Sequence, residues 1–545
     1  MTDRGTVADQ FFAQAQRFGD HPFLHVPQQT AQVYALDRTD YTYAEVRECV
    51  ERLVDQYRAL NCGPGIRVAL ALHNRPEFFF HFLALNTLGA SIVPLNTAMM
   101  DQELKFLISH SESALVVAHL SVQEQLVRIV SSMNDAPTLV TPQALESANP
   151  FSAIDKQPLG PNTEAAVIYT SGTTGTPKGC LLSNEYFRFI GHFYAAIGGL
   201  CQFIEGRDRL ITPLPVSHMN ALATSFMGVL ETGSCLIQLD RFHPATWWDS
   251  VTASEATVMH YLGVMPAMLL NAPETSQDSS FHQVRFAFGA GCDPRHHERF
   301  EQRFGIPLTE AWAMSETGAG AWITASHEPR HVGERCFGRL PDGLEVRLVD
   351  ESGFDVADGE TGELLVRRQG EQPRQYFFSG YLKDDQATEE AWQGGWFHTG
   401  DEVRRGPDGS FFFVDRRKNI IRRSGENIAS IEVESILLRH PQVKGCVVCP
   451  VPDDIRGEEV AAMLVSDPGV DRNILVNELF TLCFENLVYY KAPGYFVFVD
   501  AIALTASEKV QRGVAKKMAA EEVAAGRALN VISRKKRPRP AAAGQ

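Results

Sequence analysis

The chain has 545 residues, 44% of them hydrophobic and 21% charged, a composition typical of a globular protein with more than one domain. Its formal net charge of −16 argues against nucleic acid as the main partner, because a phosphate backbone needs a concentrated basic surface. No apolar stretch has the length of a membrane span and the first residues lack a signal-peptide pattern, so we expect a cytoplasmic protein without an integral membrane segment.

Strand-like apolar runs alternate with helical patterns in the first half of the chain. The strand candidates include residues 67–72, 91–95, 114–118 and 165–169, and a helical segment at 76–88 separates the first two. This alternation predicts an α/β fold in which helices cover parallel sheets.

A loop rich in glycine and hydroxyl side chains follows the last of these strands. Its sequence is Thr170-Ser171-Gly172-Thr173-Thr174-Gly175-Thr176-Pro177-Lys178-Gly179. Glycine lets backbone N–H groups approach an anion, the hydroxyls add donors, and Lys178 supplies a cation. The loop differs from a Walker A motif, since Pro177 precedes the lysine and Gly179 follows it. We predict a phosphate-binding loop at a strand end rather than a plain surface turn.

The pattern changes in the second half. From about residue 330, short strand patterns between Gly and Asp turns, such as 344–349 and 362–367, predict a small β-rich subdomain. A helix predicted from about 431 to 439 begins a separate α+β segment. The basic, proline-containing run at 533–540 favours a disordered, solvated tail without an assigned function.

Ten cysteines are scattered along the chain, and Cys446 and Cys449 form its C-x-x-C pair. The pair lies in an apolar run typical of a buried strand, with no second pair to complete a zinc site. We interpret the cysteines as core thiols in a reducing compartment.

Four later segments match motifs of a known family in order and spacing: residues 312–317, 395–401, 415–428 and 504–512. Together with the loop at 170–179, they resemble the adenylate-forming superfamily of acyl-CoA synthetases, adenylation domains and luciferases, over nearly the whole chain. The chain looks closest to the crotonobetaine/carnitine-CoA ligase-like branch.

The resemblance implies a domain organisation. We expect a large N-terminal domain of layered βα sheets at residues 1–417, containing the β-rich subdomain at about 330–417. A small mobile α+β lid domain would span 418–525, and a basic disordered tail would span 526–545. In the family, the boundary at Lys418 is a hinge.

The resemblance also implies the chemistry. The family activates a carboxylic acid with ATP as an acyl-adenylate, releases pyrophosphate and transfers the acyl group to a thiol. Glu316 would bind Mg²⁺, although Ser315 and Glu316 could instead cap a helix. The residues implied to contact ATP are Thr170, Ser171, Gly172, Thr173, Thr174, Gly175, Lys178, Gly289, Ala290, Gly291, Trp312, Ser315, Asp401 and Arg416.

Each half-reaction has its own residues. Lys509 resembles the lysine that stabilises charge during adenylation, but Glu508 stands where the family usually has glycine. After rotation of the lid, a second set would face the incoming thiol of coenzyme A. It comprises Arg423, Ser424, Gly425, Glu426 and Asn427, while Lys418 is the hinge of the rotation.

The acyl end is less defined. His218 resembles a gating residue at the acyl pocket, and a buried core histidine is the alternative. Residues 219–224 lack the aspartate that binds an amino group in amino-acid-activating enzymes, which favours an ordinary acid. Ala313 replaces the usual glycine and favours a small-to-medium acyl group.

We therefore predict an ATP-dependent acyl-CoA ligase that uses Mg²⁺ and coenzyme A, with Lys509, Glu316 and His218 as catalytic residues. One alternative is an adenylation enzyme that loads the phosphopantetheine of an acyl carrier protein. Another is an inactive nucleotide-binding module, for which Ser315 and Glu508 are the best support. The sequence predicts neither whether the protein forms a homodimer nor which acid it activates.

Overall fold

The computed structural model describes residues 5–152, 158–170, 177–275, 278, 283–423, 426–453, 456–504 and 510–535. The chain divides into two compact units. The first comprises Met1–Val346, Leu365–His398 and Asp408–Phe412, and the second comprises Arg347–Leu364, Thr399–Pro407 and Phe413–Gln545.

The helices of the described residues are α1 (Val7–Arg17), α2 (Gln28–Val33), α3 (Tyr43–Ala59), α4 (Pro76–Leu88), α5 (Asp101–His110), α6 (Leu120–Ser131), α7 (Asn184–Ala196), α8 (Phe226–Thr232), α9 (Trp247–Ala253), α10 (Val264–Leu270), α11 (Pro294–Phe304), α12 (Asp385–Ala391), α13 (Ser430–Leu437), α14 (Arg472–Asn486) and α15 (Arg512–Ala524). A π-helical turn, Asn220–Ser225, leads into α8.

The strands are β1 (Pro22–His25), β2 (Asp40–Thr42), β3 (Arg67–Ala71), β4 (Ser91–Pro94), β5 (Leu115–Ala118), β6 (Thr138–Val140), β7 (Glu164–Thr170), β8 (Lys178–Ser183), β9 (Arg209–Thr212), β10 (Cys235–Gln238), β11 (Val258–Leu262), β12 (Phe286–Ala290), β13 (Leu308–Trp312), β14 (Ile323–Thr324), β15 (Cys336–Arg339), β16 (Leu344–Val349), β17 (Thr361–Arg368), β18 (Gly380–Tyr381), β19 (Phe397–Arg405), β20 (Ser410–Arg416), β21 (Ile420–Arg423), β22 (Glu426–Ala429), β23 (Val443–Asp453), β24 (Gly457–Ser466), β25 (Tyr495–Phe498) and β26 (Leu529–Asn530).

The first unit contains a seven-stranded sheet in the order β18-β8-β7-β4-β3-β5-β6. Strands β3 to β7 pair in parallel, while β8 runs antiparallel to β7 and β18 antiparallel to β8. Four strands expected from apolar runs lie here, so the predicted parallel sheet is confirmed. Helix α4 is apolar on all sides and almost wholly buried, as expected for a helix inside a core.

A second sheet of the first unit has the order β15-β14-β13-β12-β11-β9-β10-β1-β2. Its central strands, from β13 to β1, are parallel, antiparallel strands flank them on both sides, and β15 pairs further with β20. Loops that leave the carboxyl ends of parallel strands meet at one edge of a sheet, where α/β folds place ligand sites. The predicted α/β fold class is confirmed.

The second unit has its own sheet, in the order β22-β21-β24-β25-β26, with β23 paired to β24. Helices α13 and α14 cover one face, and α15 covers the other. Cys446 belongs to the first face and Cys449 to the second, because side chains three residues apart on a strand point in opposite directions. Both are buried free thiols, as interpreted from the sequence.

The prediction that a disordered tail starts at residue 526 is wrong. Residues 529–530 form β26, which pairs with β25, and the Lys535 side chain is buried against Glu459. The basic composition suggested solvation, whereas a carboxylate far upstream gives this lysine a buried partner. Residues 536–545 lie outside the described part. Among the described residues, no helix is long and apolar enough to cross a membrane.

Candidate active site

The lysine of the predicted phosphate-binding loop is held beside a short strand. Thr170 and Lys178 are register partners in the antiparallel pair β7–β8, so the loop joins two adjacent strands. The Nζ atom of Lys178 lies 4.7 Å from the ring centroid of Tyr381 and 3.9 Å from an Asp384 carboxylate oxygen. The predicted contacts at Ser171, Gly172, Thr173, Thr174 and Gly175 lie outside the described residues.

Tyr381 also contacts the predicted metal ligand. Its hydroxyl donates to Glu316 Oε1 at 3.0 Å, and Glu316 is buried. Burial raises the pKa of the Tyr381 phenol, so it stays a donor. Ser315 and Glu316 lie in a turn that spans residues 315–321 and do not precede a helix, so the helix-cap alternative is wrong. A carboxylate oriented by a phenol is a donor set that fits Mg²⁺.

The segment at the end of β12 is clamped by a carboxylate. Glu310 accepts from the backbone N–H groups of Gly291 at 2.9 Å and Cys292 at 3.0 Å, and from the Tyr261 hydroxyl at 2.5 Å. Burial raises the pKa of Glu310. A Cβ atom on Gly289 would lie 2.3 Å from the Tyr261 carbonyl oxygen, so only glycine fits there.

The three residues of this segment differ in exposure. Gly289 is buried, whereas Ala290 and Gly291 are exposed. Trp312 stands two residues after Glu310 on β13, on the same face of the sheet, and is buried. Glu310 therefore connects the 289–291 segment with the strand that carries Trp312. The sequence predicts that the segment and Trp312 both contact ATP.

His218 lies in the segment between β9 and the π-helical turn and is half-buried. Asn74 holds this segment from outside: its amide nitrogen donates to the Leu214 carbonyl at 3.1 Å, and its oxygen accepts from the Val216 N–H at 3.0 Å. Asn74 follows β3 of the other sheet, so it links the carboxyl edges of both sheets of the first unit.

A buried histidine stands behind the π-helical turn. His260 Nε2 lies 2.7 Å from the Tyr194 hydroxyl, and Nδ1 lies 2.7 Å from the Ser225 hydroxyl and 3.1 Å from Asn220 Oδ1. Burial lowers the pKa of His260 to about 3, so the ring is neutral at physiological pH.

Three aromatic rings, those of Tyr194, Phe288 and Trp322, contact one another and form what we call the aromatic wall. The ring centroids of Tyr194 and Phe288 lie 4.7 Å apart, and Trp322 lies 5.5 Å from each of them. Phe288 directly precedes the 289–291 segment. Trp322 also lines a cavity of about 350 Å³, together with Phe193 and Leu340.

In the second unit lie two of the residues that the resemblance implies contact ATP, Asp401 and Arg416, whose family counterparts bind the ribose. Arg416 Nε is 2.6 Å from an oxygen of Asp401, and Asp401 is buried on β19. A carboxylate oriented by a guanidinium can accept hydrogen bonds from two hydroxyl groups.

The structure places the residues assigned to the thiol step unevenly. Glu426 is exposed at the start of β22. Arg423, its register partner on β21, is buried and paired with Glu459 at 2.8 Å, so it faces the interior of the second unit. Lys509, Ser424, Gly425 and the side chain of Lys418 lie outside the described residues.

Sequence reasoning missed four residues that organise the first unit: Asn74, Glu310, Tyr381 and Asp384. Each contacts an assigned residue or segment that is distant in sequence, so no local pattern marks it. The weak signal for Tyr381 and Asp384 is a short strand pattern followed by the helix N-cap at Asp384.

Comparison with known proteins assigns the family. The model of the AMP-binding enzyme family matches residues 11–382, and that of the AMP-binding enzyme C-terminal domain matches residues 432–509. The crotonobetaine/carnitine–CoA ligase of Salmonella typhi is 28% identical over 486 residues, which cover 86% of this chain and 92% of the relative. The Escherichia coli enzyme of the same name is 27% identical over 489 residues, covering 87% and 92%.

Solved structures agree. The o-succinylbenzoate CoA synthetase of Bacillus subtilis, in complex with its acyl-adenylate intermediate, is 25% identical, with a TM-score of 0.79 over 95% of this chain and 99% of that one. An anthranilate CoA ligase in complex with anthranoyl-AMP is 19% identical and shares the fold, with a TM-score of 0.82 over 96% and 99%. The resemblance inferred from the motifs is thereby confirmed, and the chain belongs to the family of AMP-binding enzymes.

Proposed function

We propose that the protein is an AMP-forming acid–thiol ligase that joins a small-to-medium carboxylic acid to coenzyme A. The observation that carries this proposal is the contact of one side chain, Tyr381, with both Lys178 and Glu316. These are the cation and the carboxylate that a bound Mg²⁺–triphosphate requires. The relatives named as CoA ligases support the same activity.

In the first half-reaction, a carboxylate oxygen of the acid attacks the α-phosphorus of ATP and pyrophosphate leaves. Lys178 stabilises the negative charge of the departing phosphates, and Asp401 with Arg416 holds the ribose. Glu316 would hold Mg²⁺, which supplies further charge neutralisation when bound. Lys509 would act between the carboxylate and the phosphate.

In the second half-reaction, the sulfur of coenzyme A attacks the acyl carbon and AMP leaves. We assign this step to the hairpin β21–β22, reached by rotation of a lid domain at 418–525 against a core at 1–417 about the Lys418 hinge. The lysine and the hairpin then serve different steps.

The aromatic wall supports the proposed small-to-medium size of the acid. From the family resemblance we infer that the 289–291 segment lies between the adenine and the acyl pocket, and the rings of Tyr194 and Trp322 pack against Phe288, which directly precedes it. A Cβ atom added at Gly228 would lie 2.6 Å from the Tyr194 ring, so the wall has little room to retreat. Betaine-type acids are a second candidate class, because aromatic faces attract quaternary ammonium groups and the relatives carry such names.

The test is AMP formation with ATP, Mg²⁺ and a panel of acetate, medium-chain, aromatic, dicarboxylic and betaine-type acids, with and without coenzyme A. We expect AMP formation that depends on one acid class and on coenzyme A, and that Glu316→Gln abolishes. Acid-dependent pyrophosphate exchange without turnover on coenzyme A would indicate a carrier protein as acceptor. The absence of both AMP formation and pyrophosphate exchange with every acid would favour the inactive nucleotide-binding module.

A further inference from the structure

A buried ion cluster in the second unit joins the end of the described chain to the hairpin β21–β22. Glu459 on β24 accepts from Arg423 Nε at 2.8 Å and from Lys535 Nζ at 2.6 Å. The side chains of Glu459 and Lys535 are fully buried, and that of Arg423 is 7% exposed. Charges at this depth require pairing, because each would otherwise carry an uncompensated desolvation cost.

The segment that carries Lys535 is built into the unit. Its strand β26 pairs with β25, and the Val531 N–H donates to the Gly494 carbonyl at 2.9 Å. Gly494 in turn lies close to Glu459, since a Cβ atom there would be 2.7 Å from the glutamate Cγ. The match to the family's C-terminal model ends at residue 509, so this segment lies beyond it.

Arg423 is the point where the cluster meets the hairpin. It is the last residue of β21, pairs with Glu426 across the hairpin and with Gly457 on β24. We propose that Lys535 is a positioning residue for thioester formation: by orienting Glu459 it holds Arg423, and with it the base of the hairpin. This inference rests on the proposed function, which assigns the hairpin to transfer of the acyl group to coenzyme A.

Removal of the lysine charge leaves Glu459 Oε1 with the N–H of Val460, at 2.8 Å, as its donor. Loss of a buried, charged hydrogen bond corresponds to about a tenfold change in a step that depends on it. Adenylation does not use the hairpin, so that step should be spared.

The test compares Lys535→Met, which removes the donor, with Lys535→Gln, which keeps a neutral donor. Arg527→Ala is the control, because Arg527 pairs with Glu522 at the surface of the same C-terminal region. Two rates are measured with the best acid of the panel: pyrophosphate exchange, and AMP formation that depends on coenzyme A. We expect Lys535→Met to keep exchange within about twofold and to lose about tenfold in CoA-dependent turnover, with a smaller loss for Lys535→Gln.

Retained exchange also shows that the second unit has folded, since Lys509 belongs to it. Equal loss of both rates would overturn the inference in favour of a general stabilising role. Unchanged turnover, or equal loss in the Met and Gln variants, would overturn it too. A wild-type enzyme without CoA-dependent turnover would instead overturn the proposed function, and the inference with it.

Discussion

At the scale of single residues, the first unit is organised by side chains that no motif contains. The phenol of Tyr381 donates to Glu316, and its ring faces the ammonium of Lys178. Such outer partners orient the groups that contact a metal or phosphate directly, and their removal weakens binding without removing a ligand. We therefore expect removal of the Tyr381 hydroxyl to affect Glu316 and removal of its ring to affect Lys178.

Tyr381→Phe removes the hydroxyl and keeps the ring. We expect the Mg²⁺ concentration for half-maximal pyrophosphate exchange to rise about tenfold, because Glu316 loses the donor that orients it. The KM for ATP at saturating Mg²⁺ should change little. Tyr381→Leu should raise that KM as well, since it also removes the ring beside Lys178. Identical Mg²⁺ and ATP profiles in the two variants would contradict this division.

His260 gives the molecule a pH-dependent stability. Its partners Tyr194, Ser225 and Asn220 are neutral, and burial lowers its pKa from 6.5 to about 3. The unfolded chain therefore binds a proton below pH 6.5 that the folded chain binds only near pH 3, so stability falls as the pH is lowered through this window. We expect the loss of Tm between pH 7 and pH 5 to be smaller in His260→Gln. An unchanged slope would show that other groups dominate.

At the scale of elements, the wall beside the 289–291 segment needs three of them. Tyr194 comes from α7, Phe288 from β12 and Trp322 precedes β14. The π-helical turn Asn220–Ser225 brings two further side chains to His260, which lies on β11 beside Phe288. No single element contains the aromatic wall. Its rings meet only because the parallel sheet and α7 pack together.

Trp322→Ala should enlarge the space beside the 289–291 segment, because it removes a ring that lines the cavity of about 350 Å³. We expect the acid preference, measured as kcat/KM across a chain-length series, to shift toward longer acids. A loss of about 3–5 kcal/mol in the free energy of unfolding should accompany it. Trp247→Ala is the control, because Trp247 is equally buried in a different cluster of the same unit. A shift in both variants would mean that stability, not the wall, sets the preference.

At the scale of the whole molecule, the residues assigned to the proposed cycle come from both compact units. The first contains Lys178, Glu316 and the 289–291 segment, and the second contains Asp401, Arg416 and the hairpin β21–β22. In the proposed cycle Lys509 serves adenylation and the hairpin serves thioester formation. Substitutions can therefore interrupt either step by itself.

Lys509→Ala should interrupt the first step alone. We expect acid-dependent pyrophosphate exchange to fall about 10²–10³-fold, because one charge-stabilising group of the transition state is lost. Thioester formation from a supplied acyl-adenylate and coenzyme A should stay near the wild-type rate. Parallel loss of both activities would contradict separate roles for the lysine and the hairpin.

The sequence alone determined what depends on neighbours in the chain. Four strands of the seven-stranded sheet, β3, β4, β5 and β7, were predicted because short apolar runs between helical patterns bury both faces. The phosphate loop rests on contiguous glycines, hydroxyls and a lysine, and it stays a prediction. The tertiary structure decided which distant groups meet. Tyr381 reaches Glu316 across 65 positions and Lys535 reaches Glu459 across 76, and in both cases burial makes the contact favourable only once the sheets have formed. Composition cannot show a partner that is so distant in sequence. It predicted a solvated tail, whereas the fold pairs Lys535 with Glu459 in its interior.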